Sequence, residues 1–297
     1  MPTSGNVNGS GTAVLASVSA TELRRGLGPE RAFLVALARA FAGAIIFALP
    51  LLMTMEMWAL GFYMDPLRLA LFLALMFPLL VALAYYAGFE ESVSWGQLVL
   101  SACVAYAVAF FAASAGLALL GVLRPGMSIE EIVGKVSLQA IPASIGAMLA
   151  RSQLGEREEQ KDEERRRDTY YGELFLATVG ALFLAFNVAP TEEVVLISTM
   201  MTGWHALALV GVSLAIMHAF VYAVEFRGQA SVHPELSVWS EFLRLTLVAY
   251  ALALLVCLYV LWSFGRSDGL ALGELLIQTV VLGFPAAIGA AAARLIL

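Results

Sequence analysis

Eight stretches of this chain are long and apolar enough to cross a bilayer, and that feature constrains the fold more than any other. An α-helix rises about 1.5 Å per residue, so a hydrocarbon core of about 30 Å needs roughly 20 apolar residues. The stretches near 38–61, 67–88, 97–123, 131–150, 173–201, 205–225, 241–264 and 273–295 meet that length. Barrel strands need only about 10 residues and alternate in polarity, so runs this long predict helices. Hydrophobic residues make up 61% of the 297 and charged residues 13%, whereas soluble domains run nearer one half and one quarter. Lipid is therefore the solvent for most of the chain, and the fold class is an all-α membrane protein with eight transmembrane helices.

Charge divides the chain. Residues 151–173 hold six basic and eight acidic side chains, a solvated run between the fourth and fifth apolar stretches. Residues before the first stretch are rich in Gly, Ser, Thr and Val and lack the apolar core of a signal peptide. The domain reading is a flexible cytoplasmic tail at 1–30, a first four-helix repeat at 31–150, a charged cytoplasmic linker at 151–172 and a second four-helix repeat at 173–297. With the N-terminus inside, 13 basic residues fall on the cytoplasmic side and 4 (Arg68, Arg124, Lys135, Arg266) outside. That asymmetry follows the positive-inside rule and puts both termini in the cytoplasm.

The two halves match in order. Gly43-Ala44 and Thr54-x-Glu56 pair with Gly180-Ala181 and Thr191-x-Glu193 at an offset of 137. Tyr86-Ala87 pairs with Tyr222-Ala223, and Trp95 with Trp239. Pro142-Ala143-x-Ile145-Gly146-Ala147 pairs with Pro285-Ala286-x-Ile288-Gly289-Ala290 at an offset of 143. Four spans per copy is an even number, so the copies enter the membrane from the same side and the repeats are parallel. The small residues in these segments read as faces where helices approach closely.

The sharpest local feature is Phe186-Asn187-Val188-Ala189-Pro190-Thr191-Glu192-Glu193. Pro190 removes a backbone donor, Thr191 suits an N-cap, and two acids suit a first turn. Helix five is predicted to break near 187–191 and restart, and helix one to do likewise in weaker form at Pro50, Thr54 and Glu56. Breaks at membrane depth are tolerated where they are buried or line a wet cavity. Asn187, Thr191, Glu192 and Glu193, with Thr54 and Glu56, then become candidate oxygen ligands for a cation or carriers of a proton. A buried carboxylate has a raised pKa, which makes Glu56 and Glu193 a candidate symmetric pair. The competing reading has both as caps or interfacial residues. His218 and Glu225 share a face of helix six and form a candidate relay, against a satisfied core histidine. Glu90 and Glu91 end helix two and could join Glu225 in an inner acidic ring. Lys135 and Gln278 occupy equivalent positions that either line a polar path or bond a neighbouring helix; Gln139 lies on the same helix as Lys135. Cys103 and Cys257 read as packing residues.

The string FNVAPTEE at 186–193, the PxxxTxExW pattern at 50–58 and the charged central linker resemble a family of bacterial integral membrane proteins of unknown function. The resemblance implies a bacterial inner-membrane protein and carries no activity. The paired acidic motifs are also similar in chemistry to those of cation/proton exchangers, whose repeats are inverted rather than parallel. No metalloprotease, hydrolase, P-loop or dinucleotide motif is present, so no enzyme and no cofactor is expected. The one dense basic run, Arg165-Arg166-Arg167, is flanked by acids, so no nucleic-acid partner is expected either. Three functions stay open. One is a cation transporter or channel (proton, calcium or other cation) using the symmetric carboxylates. Another is a lipid or apolar-molecule binder, and the third is a sensor or scaffold working through the linker. Membrane lipids are the partners expected in all three, and a homo-oligomer is left open.

Overall fold

A computed structural model describes residues 29–86, 94–152, 169–225 and 242–296. Among them are ten α-helices and no strand: α1 (Pro29–Leu52), α2 (Met55–Tyr63), α3 (Pro66–Tyr86), α4 (Trp95–Leu119), α5 (Ile129–Ser152), α6 (Tyr170–Val188), α7 (Glu193–Met200), α8 (Gly203–Glu225), α9 (Leu247–Ser263) and α10 (Leu272–Ile296). Eight are long and apolar enough to span a membrane; α2 and α7 are too short. A π-helical turn, Phe242–Thr246, leads into α9. Residues 1–28 of the tail, 153–168 of the linker, Glu90 and Glu91 lie outside the described residues, while the ends of both segments extend α1, α5 and α6.

Each half runs long helix, short helix, then three long helices. The same pairs pack in both: α1 on α5 and α6 on α10 most extensively, α4 on α5 and α9 on α10, α1 on α4 and α6 on α9. The short helices follow suit, α2 lying on α5 and α7 on α10. We call the face where α1 and α6 begin the near face and the opposite one the far face. Glycine makes close crossings possible, and two of them are equivalent in the halves. A Cβ added at Gly43 would overlap Ala150 and the Gly146 carbonyl, and one at Gly180 would overlap the Gly289 carbonyl and sit 2.6 Å from Ala293 Cβ. Without a hydrophobic drive between helices in lipid, such close approach is what gains dispersion energy.

The halves meet across a thin, mostly aromatic seam. Ring centroids of Phe47 and Phe183 lie 4.9 Å apart, of Phe72 and Phe186 5.4 Å, of Phe72 and Tyr259 5.2 Å, and of Tyr86 and Phe175 5.0 Å. Arg68 on α3 ties the halves together by polar contacts. It donates to the Trp262 carbonyl at 2.9 Å, pairs with Asp268 at 2.9 Å, and sits 5.0 Å from the centre of the Trp262 ring.

Candidate functional site

Both predicted breaks exist, and both are closed by protein groups. At the first, α1 ends at Leu52 and α2 starts at Met55. Thr54 has extended backbone, but its hydroxyl turns back to donate to the Pro50 carbonyl at 2.6 Å. Trp58 Nε1 donates to the Leu52 carbonyl at 2.8 Å, and Gln139 Nε2, from α5, donates to the Leu51 carbonyl at 2.9 Å. At the second, Thr191 Oγ1 donates to the Val188 carbonyl at 2.8 Å and Asn187 Nδ2 to the Phe183 carbonyl at 2.7 Å. Arg266, in the loop after α9, donates to the Pro190 carbonyl at 2.5 Å and pairs with Glu192 at 3.0 Å. Carbonyls freed at membrane depth need partners, and here side chains supply them.

This geometry revises the expected oxygen cluster. The N-cap of α7 is Glu192, not Thr191, because the threonine hydroxyl is occupied by its own helix end. Glu192 already holds a guanidinium. Glu193 is exposed on the first turn of α7. Its carboxylate is held below its usual range, first by its own backbone N–H and then by the Thr191 hydroxyl, which shares its proton with the Val188 carbonyl. An exposed, ionised Glu193 is the opposite of the buried proton carrier the sequence suggested. Glu56, in the first turn of α2, is half-buried. Among the described residues no hydrogen bond or ion pair joins Glu56 or Thr54 to Glu192, Glu193, Asn187 or Thr191, and their helices rest on different partners, α5 and α10. No cluster of three or more His, Cys, Asp or Glu suited to a metal occurs among the described residues.

The remaining candidates are tied into the helix packing. His218 Nδ1 lies 3.1 Å from Thr246 Oγ1, and its ring stands edge-on to Phe242. Glu225 is the last residue of α8. Lys135 is buried and bonds Glu131 at 2.5 Å, one turn toward the far face. Gln139 and Gln278, also buried, each keep a side-chain oxygen without a partner among the described residues; Tyr250, equally deep, lies on α9. Tyr106, its counterpart, donates to the Leu73 carbonyl at 2.6 Å. Cys257 is buried as expected, but Cys103 is exposed on the outside of α4.

The sequence did not reveal a cavity in the seam. A cavity of about 410 Å³ lies between α1 and α5 on one side and α6 and α10 on the other. Its lining is wholly apolar, and most of it comes in equivalent pairs: Gly43 with Gly180, Ile46 with Phe183, Phe47 with Leu184, Leu149 with Ala292 and Ala150 with Ala293, with Val179 and Gly289 added from the second half alone. The small residues that let α1 meet α5, and α6 meet α10, also leave the seam between those pairs hollow. A smaller cavity of about 270 Å³ lies between α3, α6 and α9.

The family model described as "Putative integral membrane protein (DUF2391)" matches residues 36–297. The chain belongs to this family. The match takes in both breaks, the seam cavity and all eight spans except the first residues of α1. Neither the curated proteins nor the solved structures contain a match to the chain.

Proposed function

We propose that this DUF2391 member is an integral membrane protein that binds an apolar molecule in the seam between its two halves. One observation carries the reading: the 410 Å³ cavity, lined by equivalent apolar residues from both halves. Ligand pockets of roughly 300–1,000 Å³ are the usual size for small-molecule sites. The matching helix order, matching packing partners and paired glycine crossings support a duplicated unit whose copies share one site at their junction. Such a site needs no ionised ligand, which fits the employment of Glu192, Thr54 and Thr191 in closing helix ends.

The test is saturable binding of an environment-sensitive apolar dye to the detergent-purified protein. Ala292→Phe with Leu184→Trp fills the cavity from α10 and α6 and is expected to abolish the saturable component. An unchanged isotherm in that variant would remove the cavity from consideration.

A second reading, cation or proton passage, is favoured by the half-buried Glu56 beside the break that Gln139 bridges. Ion flux in proteoliposomes, compared with the Glu56→Gln and Glu193→Gln double variant, tests it; equal flux in the two discards those carboxylates. Near-face placement in the cytoplasm of a bacterial cell belongs to the same proposal, on the strength of the basic-residue asymmetry.

A further inference from the structure

We infer that the occupant of the seam cavity is one acyl chain of a bilayer phospholipid, taken from the leaflet on the near face. This rests on the apolar-site reading above and names its ligand. Four observations converge on it. The lining offers no polar atom to a ligand, so a molecule whose buried part carries a hydroxyl, amine or carboxyl would lose its hydrogen bonds there. A bare hydrocarbon chain loses none. The cavity also reaches the bilayer directly: Ile46, on its rim, is 66% exposed and lies within the Phe33–Leu52 span. In a membrane that exposure faces hydrocarbon, so the cavity is continuous with the lipid boundary and fills sideways.

Depth selects the leaflet. Ala150 and Ala293 line the cavity and are the last residues of the Ile129–Ala150 and Leu272–Ala293 spans. Ala150 meets Gly43 and Ala293 meets Gly180 at one level, and the cavity runs inward from there to Phe47 and Leu184. The residues that follow are Arg151 on α5 and Arg294 on α10, which places a basic residue of each half at the level where a phosphate group resides. Size selects the number of chains. With each methylene taking the ~30 Å³ of a water molecule, 410 Å³ holds roughly a dozen methylenes. That is most of one chain and too little for two. A second chain of the same lipid remains in the bilayer.

The experiment uses the full-length protein. Native mass spectrometry after mild detergent purification is expected to show one phospholipid retained per chain, and long-chain phospholipid is expected to displace the apolar dye. A short-chain phospholipid with the same head group should compete at least tenfold more weakly, because affinity resides in the buried methylenes. Arg151→Gln with Arg294→Gln should weaken the phospholipid several-fold and leave dye affinity unchanged. If the dye binds saturably and long-chain phospholipid does not displace it, the site stands and the phospholipid assignment is wrong. If neither binds, both fail. Equal competition by long and short chains would also overturn the assignment, and this comparison uses the unmodified protein, so it does not depend on any variant folding.

Discussion

Gly180→Ala adds a single methyl group at the crossing of α6 and α10, and the structure sets its cost. The new Cβ would sit 2.6 Å from Ala293 Cβ and 2.8 Å from the Gly289 carbonyl carbon, against an optimum of about 3.5–4.0 Å between carbons. The helices must part by roughly 1 Å, and a gap of that size forfeits a quarter to a half of each contact around it. Overpacking of this kind costs about 1–3 kcal/mol. Alanine's better helix propensity returns up to about 1 kcal/mol. The net expectation is a loss of about 1–2 kcal/mol, or roughly 5- to 30-fold in the folded-to-unfolded ratio. Reversible unfolding in mixed micelles, titrated with a denaturing detergent and followed by circular dichroism, measures it. Gly211→Ala is the control: Gly211 is exposed on α8 and an added Cβ meets nothing within 4 Å, so this variant should be neutral or slightly stabilised. Gly43→Ala, at the equivalent crossing with α5, should cost about as much as Gly180→Ala. If Gly180→Ala unfolds together with Gly211→Ala, the close-crossing argument fails.

Other perturbations separate structural ties by strength. Arg266→Ala leaves the buried Pro190 carbonyl and Glu192 without their guanidinium and should cost about 1–3 kcal/mol; Arg68→Ala breaks a pair whose Asp268 is 57% exposed and should cost no more than about 1 kcal/mol, both read in the same titration. Glu131→Gln strands the Lys135 ammonium, whose side chain is only 10% exposed, at a cost of about 3–5 kcal/mol. Adding Lys135→Gln, which copies the residue at position 278, should restore most of that stability; no recovery would mean the pair is not what holds α5. Glu193 has a folded pKa below its ordinary 4.5, so its contribution is complete above that value and is lost as pH falls through the lower, folded one. An acid titration of unfolding should therefore show a step that Glu193→Gln removes; an identical acid limb in the variant would contradict the arrangement around Thr191.

The spans were legible because hydropathy over 20 residues is a local property. So were the two breaks: Pro190 and the acids after it interrupt α6, and Pro50 and Thr54 mark the end of α1, as local backbone chemistry requires. The segments Pro142–Ala147 and Pro285–Ala290 read correctly as contact faces through Gly146 and Gly289. Side-chain destinations were not legible. Gln139 reaches a carbonyl 88 positions away and Arg68 an aspartate 200 positions away, and nothing local to either residue encodes that. The misreading of Thr191 and Glu193 has a specific cause. The pattern Thr-Glu-Glu suits both a capped helix start and a ligand cluster, and only the direction of one hydroxyl and the path of the loop bearing Arg266 distinguish them. The seam cavity escaped notice because glycine and alanine show how near two helices come, not what lies on their other side.

Arg68 fastens the two halves at the far face, through the Trp262 carbonyl and Asp268. Toward the near face the halves touch through rings such as Tyr86 with Phe175 and Phe47 with Phe183, which slide without breaking a bond. Hydrogen bonds weaken steeply with angle, so a tilt of one half against the other is felt at Arg68 before it is felt at these ring contacts.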